Sequence, residues 1–129
     1  MIINTRSVAD IKSIICDPKI WAVTSGAGTD PKLWNPSPEA SYLLLKVDDK
    51  NAGLTVYHKF MDGLKCHFYV LEEFRIKYAR DFAKDCLDIA LGQYSNIYAE
   101  IKQKHKTTRN FAKKMGFVEV KDNLMRLEV

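Results

Sequence analysis

Apolar residues recur at helical spacing near the start of the chain. The residues that share this face are Val8, Ile11, Ile14 and Ile15. Ser7, followed three residues later by Asp10, has the form of a capping box and predicts where the helix begins. Asp17-Pro18 predicts a second helix start. Residues 26–40 are rich in Gly, Pro, Ser and Asp and predict a loop. Trp34 in this loop either covers the hydrophobic core or belongs to a binding site, and the first interpretation is preferred.

Three β-prone runs follow, separated by polar turns. Residues 42–47 are apolar, residues 54–60 alternate, and residues 65–71 form the third run. The alternating run is expected to place Leu54, Val56 and His58 on one face. Asp62-Gly63 predicts a tight turn before the third run, so the three strands are expected to form an antiparallel meander.

Residues 75–91 predict the longest helix, which Gly92 ends. Its expected apolar face consists of Tyr78, Ala79, Phe82, Cys86, Ile89 and Ala90. Residues 97–101 predict a fourth strand. Residues 117–120 and 124–127 predict a fifth and a sixth, joined as a closing hairpin.

A basic helix lies before that hairpin, with Thr107 or Thr108 as its expected N-cap and Gly116 at its end. The basic residues in and around it are Lys102, Lys104, Lys106, Arg109, Lys113 and Lys114. They either contact phosphate groups or form a solvated helix face. Since no aromatic residues alternate with them, nucleic-acid binding is not favoured.

The composition indicates one globular domain over residues 1–129. The hydrophobic fraction is 47% and the charged fraction 28%, and the net charge of +4 suits an anionic ligand. Three separated cysteines without a CxxC pair predict neither a disulfide framework nor a metal site. No apolar run approaches the roughly 20 residues of a membrane helix, and the N-terminus does not resemble a signal peptide, so a cytoplasmic location is expected.

Two stretches carry a resemblance to a known family: Val70-Leu71-Glu72-Glu73-Phe74-Arg75, and Phe111-Ala112-Lys113-Lys114-Met115-Gly116-Phe117. The order strand, arginine, helix, strand, basic helix, Gly-Phe, strand resembles the acyl-CoA-binding half of the GNAT N-acetyltransferase superfamily. The resemblance implies an α/β (α+β) fold with a mixed, largely antiparallel sheet flanked by helices on both faces. A splay between the fourth and fifth predicted strands would then form the cofactor cleft.

The resemblance also implies acetyl-CoA as cofactor. Arg75 and the amides of residues 77–80, at the start of the long helix, would hold the pyrophosphate, and Val70 and Leu71 would lie beside the pantetheine arm. The full set of implied cofactor contacts is Val70, Leu71, Arg75, Ile76, Lys77, Tyr78, Ala79, Arg80, His105 and Phe111.

The chain departs from the family motifs at several positions. The family loop reads Arg/Gln-x-x-Gly-x-Gly/Ala, and Tyr78 and Arg80 stand at its small positions. His105 takes the place of a usual asparagine. Ala112 takes the place of a usual tyrosine that protonates the leaving thiolate. Catalysis then needs a different acid or water, or is absent.

Amine acylation also needs a base, and carboxylates at strand ends near the expected splay are the candidates. Those candidates are Glu72, Glu73 and Glu100, of which Glu100 is preferred with Glu73 beside it, while His67 on the third strand is the other candidate. For each of them the plain interpretation, a solvated carboxylate or a satisfied histidine, is preferred.

Three functions follow. The leading one is acetyl transfer from acetyl-CoA, a small-molecule donor, to an amine or protein acceptor by direct attack in a ternary complex. The second is a catalytically inactive, GNAT-shaped assembly or interaction protein, because the short chain is similar to small GNAT-like proteins of tailed bacteriophages. It implies phage structural proteins as partners and a host-cytoplasmic or virion-associated location. The third, a nucleic-acid binder, rests on the basic helix alone. Trp34 or the closing hairpin would support a homodimer.

Overall fold

Seven strands and four helices make up the chain in the computed structural model, which describes residues 1–24 and 28–128. The strands are β1 (Ile2–Asn4), β2 (Ser41–Val47), β3 (Lys50–Phe60), β4 (Gly63–Val70), β5 (Asn96–Glu100), β6 (Val118–Lys121) and β7 (Leu124–Glu128). The helices are α1 (Val8–Ile15), α2 (Pro18–Trp21), α3 (Glu72–Leu91) and α4 (Lys106–Lys114), with a short 3-10 turn over Pro31–Leu33.

All seven strands form one sheet in the order β1-β2-β3-β4-β5-β7-β6. The β4–β5 pair is parallel, and the other neighbouring pairs are antiparallel. The predicted meander corresponds to β2, β3 and β4, and the predicted closing hairpin to β6 and β7. A mixed, largely antiparallel sheet is therefore confirmed.

Helices cover both faces of this sheet, as predicted. On one face α1 packs Ile11 and Ile14 against Leu44 and Leu54. On the other face α3 contributes Phe82, Ala83, Cys86, Leu87 and Ala90 to a second buried cluster. Ile89 is 50% exposed, so its predicted place on the apolar face of α3 is wrong. Because both faces of β3 are covered, Thr55 and Tyr57 on one face are as buried as Leu54 and Val56 on the other.

The N-terminal helices begin where the capping residues predict. The Ser7 hydroxyl accepts a hydrogen bond from the Asp10 amide at 3.2 Å, and the Asp17 carboxylate accepts one from the Lys19 amide at 3.0 Å. Part of the predicted loop lies outside the described residues. Within the described part, the Trp34 ring lies edge-on to Trp21, with centroids 6.5 Å apart, against the α1 cluster. Its predicted covering role is confirmed.

The two later helices begin earlier than predicted. α3 begins at Glu72 rather than Arg75, because Glu72 and Glu73 suit the positive end of the helix dipole. α4 begins at Lys106, so Thr107 and Thr108 lie inside the helix and neither caps it. Gly116 ends α4 in a left-handed conformation, with a φ of 103°, as predicted from its position. Among the helices in the described part of the chain, none is long and apolar enough to cross a membrane.

Candidate functional site

A cleft opens where β4 and β5 separate. The two strands pair only at Leu64–Ile97 and Lys65–Tyr98, after which they diverge. The cleft has a volume of about 490 Å3, with α3 and α4 along its walls. The predicted position of the splay, between the fourth and fifth predicted strands, is wrong: β7 lies between β5 and β6, so those strands are not neighbours.

Within the described part of the chain, the β4 edge that faces this cleft has no neighbouring strand beyond Lys65. The Leu71 amide donates to the Ala52 carbonyl at 2.9 Å, on the β3 side. Successive residues of a strand direct their backbone groups to opposite edges. The backbone groups of Cys66, Phe68 and Val70 therefore face away from β3. The Cys66 amide closes the last bridge to β5, and the Val70 carbonyl accepts from Arg75. The Cys66 carbonyl, both Phe68 groups and the Val70 amide remain to pair with an extended ligand as another strand would.

Small and apolar side chains from the helices line the cleft. Ala79 and Ala83 face it from α3, one turn apart, and leave room for a ligand. Phe111, Ala112 and Met115 face it from α4. Ala112 adds little bulk to this wall and has no hydroxyl group.

Charged and titratable groups stand where the two strands part. The Lys65 ammonium lies 3.2 Å from a Glu100 carboxylate oxygen, which ties β4 to β5. His67, two residues along, stacks on Tyr69 and lies edge-on to His58. Burial lowers the pKa of His67 to about 4, with further lowering by His58 and Lys65, so its imidazole is neutral near pH 7.

Six of the residues predicted from the sequence come together at this cleft. They are Val70, Arg75, Ala79, Glu100, Phe111 and the alternative base His67. The Arg75 guanidinium donates to the Val70 carbonyl at 3.2 Å, at the end of the free edge. Glu100 lies at the end of β5 with an exposed side chain.

The other predicted residues lie elsewhere. Leu71 and Glu73 line a shallower depression beside Pro18 and Lys19. Tyr78 packs against Phe74 and the buried cluster of α3. The remaining predicted contacts are exposed: Ile76, Lys77, Arg80 and His105.

The early start of α3 changes the predicted pyrophosphate site. Only Leu71 separates β4 from α3. Residues 77–80 therefore lie beyond the first turn, where each amide bonds to a carbonyl four residues earlier, and the prediction that these amides are free is wrong. In the first turn, the Phe74 amide donates to the Leu71 carbonyl three residues earlier, and the amides without a helical carbonyl to bond belong to Glu72 and Glu73. The Lys19 ammonium pairs with Glu72 there and holds the pKa of that carboxyl below its usual range.

Arg109 does not belong to the exposed basic surface around α4. It is only 4% exposed, donates to the Ile101 carbonyl at 2.5 Å and pairs with the Glu119 carboxylate. These contacts join α4 to the end of β5 and to β6. Arg109 therefore fixes one wall of the cleft.

Cys66, Phe68 and Lys65 were not among the predicted site residues, although the sequence contains a signal for them. A two-residue turn at Met61-Asp62 makes Phe60 and Gly63 a pair in the β3–β4 hairpin. This register decides which backbone groups of β4 face away from β3. Within residues 1–24 and 28–128, no group of three or more His, Cys, Asp or Glu side chains could hold a metal ion.

No protein-family model matches the sequence, and no curated protein matches it. Solved structures match its fold. A protein assigned as a phosphinothricin N-acetyltransferase is 13% identical, with a TM-score of 0.75, and the match covers 100% of this chain and 98% of that one.

Two bacterial acetyltransferases match a smaller part of the chain. A variant of the spermidine N-acetyltransferase from Vibrio cholerae is 13% identical, with a TM-score of 0.61 over 71% of this chain and 67% of that one. A GNAT-family acetyltransferase from Bacillus anthracis is 12% identical, with a TM-score of 0.58 over 70% of this chain and 66% of that one. The chain thus has the GNAT fold, as expected. The comparisons give no support to a phage assembly role, a virion location or a homodimer.

Proposed function

We propose that this protein is an acyltransferase that binds an acyl-CoA thioester between β4 and β5 and transfers the acyl group to an amine. The observation that carries the proposal is the free β4 edge at Cys66, Phe68 and Val70, which lines an apolar cleft. Pantetheine is an extended chain with two amide groups, so it suits an unpaired strand edge. The structural neighbours named above are N-acetyltransferases, which supports an amine as the acceptor.

The residues present fit the pantetheine part of CoA better than its diphosphate. The edge and the alanine walls offer backbone partners and space. At the start of α3, Arg75 and Lys19 supply positive charge, but Glu72 and Glu73 place two carboxylates at the same turn. We therefore expect the pantetheine arm to provide most of the affinity for acetyl-CoA.

Acetyl-CoA, when bound, supplies an activated thioester carbonyl. Glu100 is the proposed proton acceptor for the attacking amine, since its carboxylate lies at the cleft where the strands part. The neutral imidazole of His67 is a second possible proton acceptor, on the same face of the sheet as the Lys65–Glu100 pair. Because Ala112 has no proton to donate, the leaving thiolate takes its proton from water.

Calorimetric titration with acetyl-CoA tests this proposal. Ala79→Phe would fill the cleft from α3 and should weaken binding at least about tenfold by excluding the ligand. Ile89→Phe is the matched control, since it adds the same ring to a half-exposed position of the same helix. Binding that is equal in both variants, or no heat and no thermal shift with the wild-type protein at millimolar ligand, would contradict the proposal.

A second candidate, binding of an acyl thioester without catalysis, is favoured by Ala112 and by the early start of α3. Release of free thiol from acetyl-CoA, measured over a panel of amines, separates the two functions. Binding without any release of thiol would select the second.

A further inference from the structure

Lys65 stands at the point where the cleft begins. It is the last β4 residue that pairs with β5, and the next residue, Cys66, begins the free edge. Its ammonium lies 3.2 Å from Glu100 and 5.0 Å from the centre of the Phe60 ring. The side chain is only 23% exposed, although a lysine usually reaches into solvent.

The Lys65 side chain points to the face of the sheet that lies opposite α3. Side chains alternate along β4, so Lys65 shares a face with His67 and Tyr69, while Cys66 and Val70 face α3. α1 and α2 pack near Tyr69 at the far end of this face. The Lys65 ammonium is therefore an amine already held beside a carboxylate, on the side of the cleft opposite α3.

We propose that Lys65 is itself an acyl acceptor, modified at its Nζ atom by a thioester bound in the adjacent cleft. This inference rests on the proposed function. In the step, Glu100 takes a proton from the Lys65 ammonium, and the freed lone pair of Nζ attacks the thioester carbonyl. A C–N bond forms and the C–S bond breaks. The sulfur leaves with the electron pair and accepts one proton from water. The nitrogen gives up its second proton to the hydroxide so formed, and the products are an amide at Lys65, a protonated Glu100 and a free thiol.

Acylation would change the site that it occurs in. It removes the positive charge of Lys65, which ends its ion pair with Glu100 and its contact with the face of the Phe60 ring. Glu100 would then be unpaired beside the cleft and available to an amine from outside the chain.

The experiment incubates the full chain with acetyl-CoA and follows each lysine by peptide mass spectrometry. We expect acetylation of Lys65 to exceed that of the exposed Lys59 on β3 by at least about tenfold, because the cleft places the donor beside Lys65. The rate constant should not depend on protein concentration, and free CoA should slow it. Acetyl phosphate, which needs no cleft, should instead modify Lys59 faster.

Two variants complete the design. Lys65→Arg keeps the charge beside Glu100 and should abolish the fast modification while the protein still unfolds cooperatively. Glu100→Gln should slow it without loss of acetyl-CoA binding. Binding by calorimetry, with Lys65 modified no faster than Lys59, would overturn this inference and leave the proposed function intact. Absence of acetyl-CoA binding would overturn both.

Discussion

Replacing Arg109 should destabilise the protein far more than replacing Lys113, although both side chains lie near the same carboxylate oxygen of Glu119. Arg109 is buried, and its guanidinium donates to the Ile101 carbonyl as well as pairing with Glu119. Lys113 is exposed and lies 4.0 Å from Glu119. The two residues are four apart on α4, so one helix provides both the perturbation and its control.

The magnitude follows from the Ile101 contact. A hydrogen bond from a charged group contributes about 2–3 kcal/mol, and Arg109→Gln shortens the side chain and removes the charge. For a chain of this size, that loss corresponds to a fall in Tm of roughly 10 °C. Lys113→Gln breaks a solvent-exposed pair and should leave Tm unchanged within error.

Thermal unfolding followed by circular dichroism measures both variants under the same buffer conditions. The same Tm for both variants would refute the conclusion that the buried contacts of Arg109 with Ile101 and Glu119 stabilise the fold. Calorimetry adds a second readout. Because Arg109 holds the α4 wall, its variant should also weaken acetyl-CoA binding, whereas the Lys113 variant should not.

Three further predictions concern the strand junction and the cleft. Burial lowers the pKa of His67 to about 4 from 6.5, so the folding free energy that depends on its neutral form is fully present above pH 6.5 and is lost as the pH falls towards 4. That loss should reach about 3 kcal/mol. Denaturant unfolding at several pH values should show that His67→Gln makes the free energy of unfolding less dependent on pH, whereas the exposed control His105→Gln leaves that dependence unchanged. Gly63→Ala should destabilise the fold by more than about 2 kcal/mol in the same assay, since the added Cβ would lie 2.0 Å from the Asn96 carbonyl oxygen; wild-type stability would contradict the close contact. Ala112→Tyr should release thiol from acetyl-CoA on the order of a hundredfold faster than Ala112→Phe, because only the tyrosine can protonate the thiolate; equal rates would place the sulfur elsewhere.

Local patterns predicted most of the fold. The caps at Ser7 and Asp17 depend on neighbouring residues, and the structure confirms them, as it confirms the buried face of α1 at Ile11, Ile14 and Ile15. Val8 is 50% exposed, so its predicted place on that face is wrong, and the turn before β4 lies at Met61-Asp62, one residue before the predicted Asp62-Gly63. β1 was missed because it has three residues and is defined by its pairing with β2. The insertion of β7 between β5 and β6 is likewise a tertiary feature that no local pattern encodes.

The candidate site was harder to predict for the same reason. In the sequence, Arg109 stands in a run of basic residues, which predicts an exposed side chain. It is buried because α4 packs on β5, a contact between distant parts of the chain. The predicted start of α3 at Arg75 followed a family loop, while the two acidic residues before it already favour a helix. Phe68 and Cys66 carry no chemical signature, because their backbone groups rather than their side chains form the free edge.

Titration of the isotopically labelled protein with acetyl-CoA, followed by amide resonances, tests whether the free β4 edge binds an acyl thioester. We expect saturable shifts at the Phe68 and Val70 amides, with smaller shifts at Lys59 on the neighbouring strand. Saturable shifts confined to the basic residues 102–106, or no shifts at all, would contradict it.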